Sequence, residues 1–156
     1  MWVLFCIFAH INDKVMKAKI AAYANYSAAV ILLFMGILYL TKSSFMSYHG
    51  IALSRSWDEI DPKVRILILA LMRGISGGLI AASVAIIFLQ YKFTTSKLRW
   101  IPVLIMLIGL ILSCTILYAM LIVKVNTPGN PPLALTGAGV ALMLTAFLLN
   151  MNDIKK

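Results

Sequence analysis

The chain has 156 residues, of which 62% are hydrophobic and 12% charged, and its mean hydropathy is +0.97. That leaves too little polar surface to cover a soluble globule, so lipid is the expected solvent. The net charge of +9 would suit nucleic acid, but the basic residues flank apolar runs and form no single patch. They read as topology determinants that also touch anionic headgroups, and no nucleic-acid partner is expected.

In chain order, residues 1–15 come first. Residues 1–11 are apolar but only about half a span long, and no positive segment precedes them. Two readings stand: an over-called leader, with translation starting at Met16, or a short interfacial segment carried by Trp2, Phe5 and Phe8. Residues 16–156 read as a single four-helix transmembrane domain. The apolar runs are 20–40, 66–91, 101–123 and 133–149. A helix crossing roughly 30 Å of hydrocarbon needs about 20 residues, and these runs lack the period-two alternation of a barrel strand. The expected helices are about 20–40, 63–91, 101–123 and 132–150.

Local signals frame these spans. Asp61-Pro62 suits the N-cap and first position of the second span, and Ser56 with Glu59 suits a capping box just before it. The stretch from Asn126 to Pro132 is a turn whose prolines stop the third span and start the fourth. Trp57, Trp100, Tyr39 and Tyr91 fall near the expected interfaces.

With four spans, both termini and the second loop share one side, carrying eight basic residues against five on the other. Positive loops resist translocation, so both termini are expected in the cytoplasm and residues 41–65 outside.

Two rows of small residues mark candidate packing faces. Gly74, Gly78, Ala81 and Ala85 form a narrow stripe on the second span, and Ala134, Ala138, Ala141 and Thr145 repeat the spacing on the fourth. In lipid, close backbone approach drives helix association. Asn25 with Ala28, and Gly109 with Ser113, share faces of the first and third spans. The expected fold is an all-α, up-and-down four-helix membrane bundle with these faces inward. A homodimer seam is the alternative use of a stripe.

Arg73 is the one full charge inside the spans. Counting about 20 residues back from Tyr91 places it just inside the outer boundary, where its stem can snorkel to phosphate. The apolar stretch before it would then protrude bare. Residues 45–53, with Trp57, are too apolar for a solvated linker and are expected to cap that end. Beneath such a cap Arg73 would meet Tyr48, His49 and an acid from Asp58, Glu59 or Asp61. The choice is between an internal ion pair and a site for a carboxylate, phosphate or quinone carbonyl.

Most catalytic patterns are missing. Cys6 and Cys114 are far apart, no span carries Asp or Glu, and His10 and His49 cannot form a metal or haem pair. No glycine-rich phosphate loop or nucleophile elbow occurs, so no cofactor or metal is expected.

Phe45-Met46-Ser47-Tyr48-His49, the stretch from Leu71 to Gly78, and Asn130-Pro131-Pro132 together resemble small four-span bacterial membrane proteins, and more loosely the DoxX-like group. The resemblance implies a bacterial cytoplasmic membrane and a four-helix bundle, and no established reaction. Some DoxX-like proteins accompany quinone-linked oxidoreductases. The preferred function is a non-catalytic accessory or partner-binding bundle. The alternative is a binding or transport module for an anionic or lipid-like ligand, such as a quinone or phospholipid, using Arg73, His49, Tyr48 and Trp57.

Overall fold

The computed structural model describes the backbone of residues 2–154 and the side chains of residues 14–154. The elements are α1 (Trp2–Thr41), α2 (Ser47–Leu53), a 3₁₀ turn (Trp57–Glu59), α3 (Pro62–Ser96), α4 (Trp100–Asn126) and α5 (Leu133–Ile154). Among the described residues every regular element is helical. Lys14–Thr41 of α1 and the whole of α3, α4 and α5 are long and apolar enough to cross a membrane. The protein is an all-α four-helix bundle of the multi-pass membrane class. The side chains of Trp2, Phe5, Cys6, Phe8 and His10, singled out in the sequence, lie outside the described residues.

The helix starts follow their caps. Asp61 Oδ1 accepts from the Lys63 amide at 2.8 Å, with Pro62 as the first helical residue of α3. The Ser56 amide donates to Glu59 Oε2 at 2.8 Å and fixes the 3₁₀ turn before it. α3 runs five residues past Tyr91, the expected end of its apolar run. Thr94, Thr95 and Ser96 extend it by donating their hydroxyls to carbonyls of Tyr91 and Lys92. Lys97, at φ 51°, then ends the helix, and its Nζ reaches Asp153 of α5 at 2.5 Å.

The helices form a ring in which α1 packs on α3 and α5, and α4 packs on the same two. Short connections after α3 and α4, and the α2-bearing segment of residues 42–61 after α1, join antiparallel neighbours in this up-and-down order. Ser83 Oγ donates to the Ala29 carbonyl at 2.8 Å, and a Cβ on Gly36 would lie 2.8 Å from the Ile80 side chain. That register sets Arg73 level with the last turn of α1. The first turns of α3 therefore project beyond α1, toward the end where α2 lies.

The two ends differ. At the end away from α2, Ala28 and Ala29 of α1, Ile86 and Phe93 of α3, Ile101, Ile105 and Met106 of α4, and Met143 of α5 form a closed core. An amide cluster sits within it. Asn25 Nδ2 and Asn150 Nδ2 both donate to Gln90 Oε1, at 2.7 and 3.2 Å, tying α1, α3 and α5 together. Gly109 packs closely here, and a Cβ in its place would oblige the Met143 thioether to move.

The small-residue stripes do not face inward as expected. Gly74, Gly78 and Ala81 are exposed and Ala85 is half-buried, while Ala134, Ala138, Ala141 and Thr145 are exposed on α5. A Cβ at Gly74 or Gly78 would meet nothing within 4 Å. A second row on α3 takes the inward face instead: Met72, Ser76, Leu79, Ser83, Ile86, Gln90 and Phe93, all buried, recur every three or four residues. It lies about 200° around the helix from the glycine row. Hydroxyls and an amide need partners that lipid cannot supply, so the row carrying them turns inward, and a purely apolar row is tolerated outside. Asn25, Ala28, Gly109 and Ser113 do face inward.

Candidate functional site

Toward the α2 end the ring opens into a cavity of about 520 Å³. Small-molecule sites are roughly 300–1,000 Å³. All four long helices wall it. Ala28, Leu79, Ser113 and Met143 form its floor against the closed core, and Ile31, Met35, Ile75, Ile116 and Leu135 stand among its sides. α2 covers the top with Tyr48, His49, Ala52 and Leu53.

The cover is held from several directions. Phe45 is buried, stacks edge-on against Trp57 at 5.0 Å between centroids, and lies against Gly50, where a Cβ would be 2.8 Å from its ring. Gly129 of the α4–α5 connection packs beneath α2, and a Cβ there would lie 2.9 Å from both the Ala52 side chain and the Tyr48 carbonyl. The two connections at this end thus lock together. The loop that sequence reading made a cap is a short helix pinned by aromatic contacts.

Apart from the Ser113 hydroxyl on the floor, the polar groups of the cavity concentrate toward its top. Tyr39 of α1 and Tyr48 of α2 share a hydroxyl–hydroxyl hydrogen bond of 2.5 Å. His49 lies beside Tyr48, with ring centroids 4.1 Å apart, and its Nδ1 accepts the Met46 amide at 3.3 Å. Accepting at Nδ1 leaves the imidazole proton on Nε2. Burial lowers the His49 pKa and, together with the Tyr39 hydroxyl, raises that of Tyr48, so both groups are held neutral. Elsewhere on the wall, Thr127 donates to the Val123 carbonyl and Thr136 reaches the Met120 sulfur, so these hydroxyls are already engaged.

Of the candidate ligand residues, Tyr48 and His49 come together on the cavity, and Trp57 and Arg73 do not join them. Trp57 stands behind Phe45, with the Arg65 guanidinium 6.0 Å from its ring centroid. Arg73 is exposed, and its guanidinium has no hydrogen bond or ion pair among the described residues. It follows Met72 of the inward row and so lies about 100° away from it. The acids expected near it are engaged elsewhere: Asp58 lies 3.7 Å from Arg65, Glu59 holds the Ser56 amide, and Asp61 caps α3. Tyr39 was assigned to the interface in the sequence and is instead buried over the cavity. Gln90 and Asn150 join Asn25 in a cluster that the sequence analysis leaves out. Their signal was available: an amide late in the second span and another closing the fourth, opposite Asn25.

Among the described residues no three His, Cys, Asp or Glu side chains gather as metal ligands, and Cys114 is exposed on α4. No family model, curated protein or solved structure matches the chain.

Proposed function

We propose that this protein is a non-catalytic binding module of the cytoplasmic membrane that holds a lipid-like molecule in the cavity under α2. Both termini are cytoplasmic and α2 is on the outer side, as the basic-residue asymmetry favours. The observation that carries the reading is an apolar cavity walled by all four spans and covered by a helix with polar tips. A bundle needed only as a scaffold gains nothing from forgoing contact there, since packing is what stabilises helices in lipid. The ligand region lies on Tyr48 and His49, with Tyr39 added, and Arg73 serves as a boundary residue that reaches headgroups.

Two glycines on one helix make the test. Gly139 lines the cavity, Gly137 does not, and a Cβ at either meets nothing within 4 Å. Native mass spectrometry of the protein in mild detergent should show a retained lipid in the parent and in Gly137→Leu, and its loss in Gly139→Leu. Equal retention in both variants would sink the proposal.

A second reading, association with another copy or another membrane protein, is favoured by the outward glycines of α3, which leave room for a close backbone.

A further inference from the structure

Resting on the binding reading above, we infer that the occupant of the cavity is an uncharged lipid. Its head offers a hydroxyl or carbonyl oxygen to Tyr48 and His49, and its hydrocarbon runs down toward Ala28 and Met143.

The first support is charge. Among the described residues not one Lys, Arg, Asp or Glu lines the cavity. Cations are plentiful at this end of the bundle, but none of them lines the cavity. Arg65 faces Asp58 and Trp57, Lys124 donates to Asn130 Oδ1 at 2.6 Å, and Arg73, Lys42, Arg55 and Lys63 do not line the cavity. A phosphate or carboxylate drawn inside would lose its hydration and gain no counter-charge. His49 cannot supply one cheaply, because burial keeps its imidazole neutral.

The second support is the kind of hydrogen bond on offer. Tyr39 and Tyr48 share one hydrogen bond, so one hydroxyl proton of the pair is left to give. His49 gives a second from Nε2, since Nδ1 is already an acceptor. Two neutral donors side by side suit a single oxygen acceptor. They offer nothing comparable to the charged donors that hold a phosphate.

Shape agrees with both. Along α1, the 11 residues from Ala28 to Tyr39 put the floor about 16 Å below the tyrosine pair. A narrow, apolar shaft of that length takes an acyl or isoprenoid chain. Leu71 and Ile75 of α3 and Ala119 of α4 line the shaft and are also exposed, so it is not sealed from the bilayer. A lipid can therefore be drawn from the membrane itself, tail first, with no aqueous path.

The test uses the full chain in phosphatidylcholine nanodiscs doped, at equal mole fraction, with dioleoylglycerol, oleyl alcohol, oleate or dioleoyl phosphatidate. Retention after detergent exchange is read by native mass spectrometry. The neutral probes should be retained at least about tenfold over the anionic pair, equivalent to about 1.4 kcal/mol of discrimination. Tyr48→Phe, which keeps the ring, should reduce retention of the neutral probes several-fold, and Gly139→Leu should abolish retention of all four. Equal or stronger retention of phosphatidate or oleate by the parent, blocked by Gly139→Leu, would overturn the neutral-head inference and leave the binding reading standing. Retention of no probe by the parent, or retention that ignores Gly139→Leu, would overturn both.

Discussion

The closed half of the bundle and its hollow half are built from the same four helices, yet one is packed and the other is not. In the closed half the contacts are made by Ala28, Ala29, Ser83 and Gly109, small enough for the helices to converge on Phe93 and Ile86, and the Asn25–Gln90–Asn150 amides fasten three of them together. In the hollow half Leu, Ile and Met line a space they do not fill. Branched and flexible apolar side chains would fill it if the helices could approach. The interlocked connections, with Phe45 on Gly50 and Gly129 under α2, instead cover the opening from above. In the closed half polar pairing fastens three helices, whereas in the hollow half α1 and α3 still meet closely at Gly36 and the space lies among all four helices under the lid.

The strongest way to break this comparison is to truncate one side chain in each half. Phe93 is fully buried in the closed core, and Phe93→Ala should cost about 3–5 kcal/mol, the usual loss for an aromatic removed from a packed site. Met35 lines the hollow half, where part of its surface already faces space, and Met35→Ala should cost less than about half as much. Unfolding in mixed micelles titrated with dodecyl sulfate reads both. Equal costs would mean that the cavity is closed by packing in the membrane.

The next contrast sets an inner glycine against an outer one. Gly109→Ala places a methyl group against the Met143 thioether, which must move toward the cavity to admit it, and should cost about 1 kcal/mol, the low end of overpacking. Gly78→Ala meets nothing in the chain and should be neutral within about 0.5 kcal/mol, or slightly stabilising through helix propensity. A large loss at Gly78 in the same mixed-micelle titration would reveal a neighbour outside this chain and promote the partner-binding reading.

Much of this architecture was legible in the residues. Run length placed four spans, Asp61-Pro62 placed the start of α3, and the apolar stretch after Phe45 had to cover something. The inward face of α3 was harder, because two rows with the same three-and-four spacing compete on it. The glycine row is the more conspicuous, but the row with Ser76, Ser83 and Gln90 wins, since partners for polar groups weigh more in lipid than close approach. Tyr39 illustrates a different limit: a tyrosine near a span end reads as a belt residue, and only the folded position of α2 turns its hydroxyl toward Tyr48. The cavity itself is walled by residues from four separate helices, and no spacing within any one helix announces it. Arg73 attracted notice as a lone charge, yet a guanidinium on a long stem is what an exposed position at this level accommodates.

The smallest expected effect, and the one confined to the lid, concerns pH. His49 caps the start of α2 by accepting the Met46 amide at Nδ1, which only the neutral ring can do. Its pKa in the folded protein lies below the ordinary value because burial disfavours the charged ring. The unfolded chain therefore binds a proton here more readily than the folded one. By linkage, stability rises with pH wherever that holds. The contribution of His49 should be flat above the ordinary histidine value of about 6.5 and should fall as pH drops below it. His49→Gln retains an acceptor for the Met46 amide and cannot titrate. The difference between parent and His49→Gln in mixed-micelle unfolding, followed between about pH 5 and 8, isolates this group from any other histidine. A parent that loses stability toward acid while the variant does not would tie the lid to a neutral imidazole. A difference that stays constant across the range, or a parent that gains stability over the variant toward acid, would show that the ring is not held neutral by burial and that α2 does not seal the cavity as described.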